Sequence, residues 1–136
     1  MDPVLREATP DDIESVLTFW ARTAEPTSTD SPEAVSQLLR RDPGALIVAQ
    51  SGGEIVGSVV AGWDGWRGSI YRLAVAQSAR RAGLASALLR AAEERLTALG
   101  AQRLHAIVVG ANAPATAFWE ASGWDLQEGQ RRYVRQ

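Results

Sequence analysis

Ile13, Val16, Leu17 and Trp20 recur every three or four positions among polar neighbours, a spacing that lines them along one face of a helix. Thr9-Pro10-Asp11-Asp12 marks its start, with a hydroxyl to cap, proline in the first turn and acids near the positive end of the dipole. Ser31-Pro32-Glu33 opens a second helix in the same way, with Val35, Leu38 and Leu39 on its buried side, and Asp42-Pro43-Gly44 closes it. The pattern then changes to runs rich in β-branched residues. Residues 45–50 and 54–63 flank Ser51-Gly52-Gly53 and predict a hairpin, and a second turn at 64–68 leads into a strand over 69–75.

From Leu84 the period returns to 3.6. Leu84, Leu88, Ala91, Leu96 and Leu99 line a helix that Gly100 ends. Residues 103–109 are strand-like, Asn112 caps a short helix with Pro114 in its first turn, and 124–126 with 131–134 are expected as closing strands. The expected order is α-α-β-β-β-α-β-α-β-β, with a first short strand near residues 3–7. This is an α+β (mixed α/β) architecture whose strand–helix–strand unit over 69–109 implies one parallel pair. No repeat, low-complexity tract or linker interrupts it, so residues 1–136 are expected to form a single domain.

Composition narrows the function classes. Hydrophobic residues make up 46% and charged residues 22% of the 136 positions, an ordinary globular balance. The absence of cysteine removes disulfides, thiolate ligands and cysteine nucleophiles, and with a single histidine no metal site is expected. A net charge of −2, with arginines clustered only at Arg80–Arg81 and Arg131–Arg132, gives no footprint for nucleic acid. The opening MDPVLREATPDD has no signal-peptide character, and no apolar run approaches the ~20 residues of a membrane span. A cytoplasmic protein with no membrane partner is expected.

The chemistry concentrates between Leu73 and Ala85. A strand ends, a polar loop with Arg80 and Arg81 follows, and the small residues Ala82, Gly83 and Ala85 open the long helix. The first N–H groups of a helix have no internal partner and sit at the positive end of its dipole, so this is an anion site by construction. The same residues also read as a solvated arginine pair before an amphipathic helix. Neither a Walker-type G-x-x-x-x-G-K-[ST] nor a G-x-G-x-x-G is present.

Arg80-Arg81-Ala82-Gly83-Leu84-Ala85, following the strand Leu73-Ala74-Val75, resembles the pyrophosphate loop of the GCN5-related N-acetyltransferases (GNAT). Asn112-Ala113-Pro114-Ala115-Thr116-Ala117-Phe118-Trp119-Glu120-Ala121-Ser122-Gly123-Trp124 is similar to that family's second motif, N-x-x-A-x-x-(apolar)-Y-E-x-x-G-F. The resemblance implies a GNAT-like acyl-CoA acyltransferase fold, with a mostly antiparallel sheet and a splayed parallel pair. It also implies acetyl-CoA as cosubstrate. The main chain of Leu73, Ala74 and Val75 would pair with pantetheine, residues Arg80 to Ser86 would hold the pyrophosphate, and Asn112, Phe118 and Trp119 would flank the thiol end. A backbone N–H at a bulge where the central strands part would polarise the thioester carbonyl.

Two positions depart from the family pattern. The frequent tyrosine that protonates the leaving thiolate falls at Trp119, whose indole is not a practical acid, so pantetheine packing is expected there. A glutamate that serves some relatives as base falls at Ile107, expected in the core. His105 reads either as a packed, hydrogen-bonded imidazole or as a base or relay. Tyr71 and Tyr133 are candidates for thiolate protonation beside packing roles.

The acceptor side in this family is built by the first two helices and nearby strand ends. There Trp20, Trp63 and Trp66 are candidate lining residues, with Glu25, Asp30, Glu33 and Asp64 drawing in a cation. At pH 7 an amine with pKa ~10.4 carries a penalty of ~4.6 kcal/mol for neutrality, against ~1 kcal/mol at pKa ~7.7. A site without a dedicated base suits the second.

The expected activity is direct, ternary-complex transfer of acetyl from acetyl-CoA to a primary amine of a small molecule or peptide, by a monomer or homodimer. Alternatives are a catalytically weak CoA-binding module and a nucleotide-binding regulatory domain.

Overall fold

The computed structural model describes residues 2–80, 83–108 and 113–135. The chain separates into two compact units, residues 1–106 and 107–136. The first holds a five-stranded sheet in the order β1-β2-β3-β4-β5: β1 Val4–Glu7, β2 Leu46–Ser51, β3 Glu54–Trp63, β4 Gly68–Val75 and β5 Leu104–Ala106. The first three pairings are antiparallel, and β4 with β5 is the one parallel pair described.

Helices α1 (Ile13–Thr23) and α2 (Pro32–Arg41) start where the punctuation placed them. Thr9 caps a short 3-10 turn at Pro10–Asp12 that runs into α1, and the Ser31 hydroxyl accepts from the Ala34 N–H at 3.1 Å. Their apolar stripes meet one face of the sheet, where Val16, Phe19, Trp20, Val35 and Leu39 pack with Leu46, Val48 and Val60. Burying each such side chain contributes about 1.5–3 kcal/mol.

Helix α3 (Leu84–Leu99) covers the opposite face. Gly57, one position along from the Ser58 of the first face, comes so close that a Cβ there would lie 2.8 Å from the Leu88 side chain. Gly68 has the same relation to Leu96 and Leu104. Gly100 ends α3 at φ +108, and the Ala101 N–H reaches back to the Leu96 carbonyl at 3.0 Å.

The second unit contains α4, Ala113–Ala121. Gly123 at φ +86 reverses the chain, the Gly123 N–H donates to the Glu120 carbonyl and the Trp124 N–H to the Trp119 carbonyl, both at 3.0 Å. These two bonds are the Schellman pattern, which satisfies carbonyls otherwise orphaned at a helix end.

The expected strands over 124–126 and 131–134 do not form. A turn links Gln130 to Gln127, but the flanking segments have no ladder, and Leu126, Tyr133 and Val134 are exposed. Runs of three or four residues with no buried face gain too little to hold a ladder by themselves. Of the strand expected over 103–109, the three residues of β5 form and Arg103, Ile107 and Val108 do not join it, while Val109 lies outside the described residues. Among the described residues no helix is long and apolar enough to cross a membrane, and no cluster of His, Asp and Glu could hold a metal ion.

Candidate active site at the β4 bulge

Ser58 of β3 faces Ala74 and Val60 faces Tyr71, so Arg72 and Leu73 of β4 stand together opposite Val59. This is a one-residue bulge, and its first residue, Arg72, has φ +54. Glycine usually takes that left-handed position; a side chain there costs about 1–2 kcal/mol. The Ala76 N–H donates to the Val56 carbonyl at 2.8 Å. By strand alternation the N–H of Ala74 also faces β3, while those of Leu73 and Val75 face the other edge. On that edge, among the described residues, β5 pairs with Gly68, Ser69 and Ile70. The second half of β4 therefore presents main-chain donors beside a bulge and past the end of its parallel neighbour.

Beyond β4 the chain makes a short turn at Gln77–Ala79 and enters α3. Gly83 is the N-cap at φ +76, with no described atom within 4 Å of the place a Cβ would occupy. Having no side chain, it leaves the N–H groups of Leu84, Ala85 and Ser86 without an intrahelical acceptor. Leu84 is itself buried, so its contribution here is main chain only, whereas Ser86 is exposed. Arg80 is exposed, and its Nε donates to the Val75 carbonyl at 3.3 Å, holding the guanidinium over the end of β4. Arg81, Ala82 and Asn112, also expected in this site, lie outside the described residues.

On the face that carries α1 and α2, Ser69 and Tyr71 point the same way. His105, directly across the parallel pair from Ser69, forms a 2.9 Å hydrogen bond between Nε2 and the Ser69 hydroxyl. Ser69 is buried, His105 exposed and Tyr71 half-exposed. The imidazole is therefore hydrogen-bonded, as one of its readings expects, but exposed rather than in the core. The Tyr71 ring passes 3.4 Å from where a Cβ on Gly62 would sit, so the glycine leaves it room. Tyr71 thus adjoins the bulge and His105 lies on the same face opposite Ser69, three residues before Arg72, while Tyr133 is almost fully exposed within the second unit.

The tryptophans divide differently from expectation. Trp20 is buried, donating from Nε1 to the Ser58 hydroxyl at 2.9 Å, and lies within the core rather than lining an open acceptor site. Its indole is too large and apolar to leave a helix stripe that already faces the sheet. Trp63 is partly buried, and its main-chain N–H donates to the Asp42 carboxylate at 3.0 Å. Trp66 is exposed and stacks under the Arg67 guanidinium at 4.3 Å.

Asp64 accepts from the N–H groups of Arg67 and Trp66, which hold its carboxyl below the usual range, so its acceptor capacity closes the turn. This turn sits at the Gly68 end of β4, about 13 Å along the strand from Arg72, and the α3 loop is at the other end. The structure thus sets Tyr71 and His105 on one face of the β4–β5 pair, the α3 N-terminus beyond the Val75 end of β4, and Trp63, Asp64 and Trp66 at its Gly68 end.

Arg72 was not among the expected site residues, although it is the one charge in the strand SIYRLAV, a signal the alternation could have carried. Its guanidinium bonds the Glu25 carbonyl, the Thr27 hydroxyl and, at short range, the Asp30 carboxylate. Burial pushes the Asp30 carboxyl up, but the bonds from Arg72 and Thr27 outweigh it and hold the group below its ordinary value. Asp30 is therefore engaged within the chain and does not face an incoming cation. Shallow depressions of about 430 Å³ on the outer flank of α3 and about 240 Å³ beside Thr9 and Arg40 do not touch β4.

In the second unit Phe118 and Trp119 are partly buried and meet edge to face at 5.6 Å, and Trp119 meets Trp124 in the same manner at 5.0 Å. Ile107, expected in the core, is half-exposed because β5 ends before it.

Residues 12–124 match the model of the acetyltransferase (GNAT) family. An acetyltransferase of Pectobacterium atrosepticum is 39% identical over 111 residues, covering 81% of this chain and 79% of its own. One from Sodalis glossinidius is 34% identical over 119 residues, covering 87% and 84%. Among solved structures, AAC(6')-Iy in complex with the bisubstrate analogue CoA-S-monomethyl-acetylneamine superimposes with a TM-score of 0.80 over 100% of this chain and 99% of that one, at 17% identity. The bulged strand, the open helix terminus and the matched residues lead to one conclusion: the chain belongs to the acetyltransferase (GNAT) family and is an acyltransferase.

Proposed function

We propose that the protein transfers an acetyl group from acetyl-CoA to a primary amine of a small molecule or peptide, by direct attack within a ternary complex. The observation that carries this reading is the bulge at Arg72–Leu73, which turns a main-chain N–H toward an edge that β5 leaves open. A thioester lying along that edge would have its carbonyl oxygen near the Leu73 amide, with the pantetheine passing Ala74 to pair with the Val75 main chain. From there the pyrophosphate reaches Arg80 and the free N–H groups of Leu84, Ala85 and Ser86, with Gly83 leaving room for it. By the same resemblance Arg81, Ala82 and Asn112 belong to this site, with Phe118 and Trp119 beside the pantetheine. Residues 1–136 are read as one acetyltransferase domain, which a family match running through residues 12–124 supports.

In the reaction the amine nitrogen adds to the thioester carbonyl carbon, and the negative charge that develops on oxygen is met by the bulge N–H. The carbon–sulfur bond then breaks and its electron pair leaves on sulfur. His105 takes the proton lost by the nitrogen, with Ser69 orienting the ring, and Tyr71 supplies a proton to the thiolate. A solved neighbour is bound to an acetylneamine–CoA analogue, which supports including aminosugar amines among the acceptors tried.

Steady-state release of free CoA, measured with α-amino, ε-amino and aminosugar acceptors, tests the reading. Amine-dependent release is expected. Tight CoA binding with no turnover of any amine would leave a CoA-binding module, and absence of CoA binding would remove the site altogether.

A further inference from the structure

We infer that Ser58 and Arg72 are positioning residues that hold the β4 bulge in the shape the chemistry needs, an inference that rests on the acyl site proposed above. Arg72 is the one non-glycine residue at positive φ among those described. Backbone strain of this kind persists only where the surroundings enforce it.

Here they do so from both ends of the residue. The Ser58 hydroxyl donates to the Arg72 carbonyl at 2.7 Å while accepting from the Trp20 Nε1–H at 2.9 Å. Ser58 is fully buried, so this chain of bonds has no competing water. At the other end the guanidinium packs over the Trp20 ring at 5.1 Å and is tied to Glu25, Thr27 and Asp30. Those three lie on the segment joining α1 to α2, which the Arg72 side chain therefore fastens to the bulge.

The Leu73 N–H follows directly from the Arg72 carbonyl, since the two share one peptide plane. Rotating that plane moves the carbonyl away from Ser58 and the N–H away from the thioester together. Ser58 thus sets the direction of the donor it never touches, and Arg72 keeps the left-handed turn from relaxing into a flat ladder.

The test uses acetyl-CoA labelled with ¹³C at the thioester carbonyl and bound to the full chain. The carbonyl stretch is read by isotope-edited infrared difference, beside kcat and the CoA dissociation constant. In the wild type the stretch should fall below that of free acetyl-CoA. Ser58→Ala should return it toward the free value and lower kcat about 10- to 100-fold, less than outright loss of an oxyanion donor, with CoA affinity within about threefold. Ser58→Thr, which keeps a hydroxyl, should restore the shift.

Arg72→Gly, which tolerates positive φ, should lose the shift as well, and it decides the matter if Ser58→Ala does not fold. An unshifted carbonyl in the wild type would remove the acyl site itself. A wild-type stretch and kcat in Ser58→Ala, or in Arg72→Gly where the alanine variant does not fold, would overturn the positioning role.

Discussion

The Trp119 and Trp124 rings meet edge to face at 5.0 Å, across the point where α4 ends and the chain reverses. The contact joins the two positions that a Schellman motif brings together, the third residue from the helix end and the third beyond it. Trp119 therefore has a local structural partner as well as its proposed place beside pantetheine. Trp119→Phe should retain most activity because an aromatic face survives on both sides. Trp119→Ala should lose up to ~3–5 kcal/mol through lost burial, seen as earlier melting together with weaker CoA binding. A fall in kcat beyond about a hundredfold in the phenylalanine variant, with melting and CoA affinity intact, would give the indole N–H a chemical role instead.

Gly83 separates backbone strain from phosphate contact. At φ +76 any side chain costs about 1 kcal/mol, whatever the space around it. Gly83→Ala should be mildly destabilised and bind CoA somewhat more weakly. Gly83→Glu has the same strain but puts a carboxylate at the helix N-terminus, and should lose more than about a hundredfold in affinity, on the order of 3 kcal/mol. Calorimetric titration of both variants with CoA measures the difference, and equal affinities would place the pyrophosphate elsewhere.

His105 and Tyr71 are open to a simple comparison. His105→Gln keeps a hydrogen-bonding side chain opposite Ser69 but removes the proton acceptor, so kcat should fall by about 10²-fold or more with CoA affinity unchanged. Tyr71→Phe should lower kcat without loosening the fold, since the ring already lies half-exposed. Rates measured at saturating acetyl-CoA check both, and wild-type values would move the proton transfers to water.

Asp12 gives a pH signature for the N-terminal edge of the sheet. The Arg6 guanidinium donates to it at 2.8 and 2.9 Å and the Thr9 N–H at 2.7 Å, lowering its pKa to about 2 despite partial burial. A depressed carboxyl stabilises the fold above its ordinary pKa and loses that contribution as pH falls through the folded value. The expected contribution is about 1 kcal/mol near pH 7 after allowing for solvent screening, fading between about pH 5 and pH 2. Urea unfolding of Asp12→Asn should differ from wild type at pH 7 and converge with it near pH 2.

Helices α1, α2 and α3 and strands β2 to β4 were legible because each has its own apolar period and its own capping or turn residues. Thr9, Ser31 and Gly100 act where their chemistry places them. The closing strands were not legible because a strand needs a partner, and residues 131–135 carry an alternation that nothing in their own sequence can pair. The open N-terminus of α3 was readable from Gly83 and the small residues around it. The bulge was not, because it arises from register between two strands and shows locally only as a charge out of phase. Trp20 misled for a related reason: its place on an apolar stripe was correct, but the indole N–H was consumed by Ser58, a partner 38 positions away.

The extra residue at Arg72 also changes how β4 should respond to substitution. Tyr71 and Ala74 lie three positions apart and yet face the same side of the sheet, opposite Val60 and Ser58. A saturation scan along residues 68–75 would therefore show tolerance to polar side chains alternating up to Tyr71 and then continuing with the opposite phase. Removing any one residue between Tyr71 and Ala74 would restore a single phase throughout. Such a deletion would make β4 a better strand, one with no inward turn left to receive a thioester.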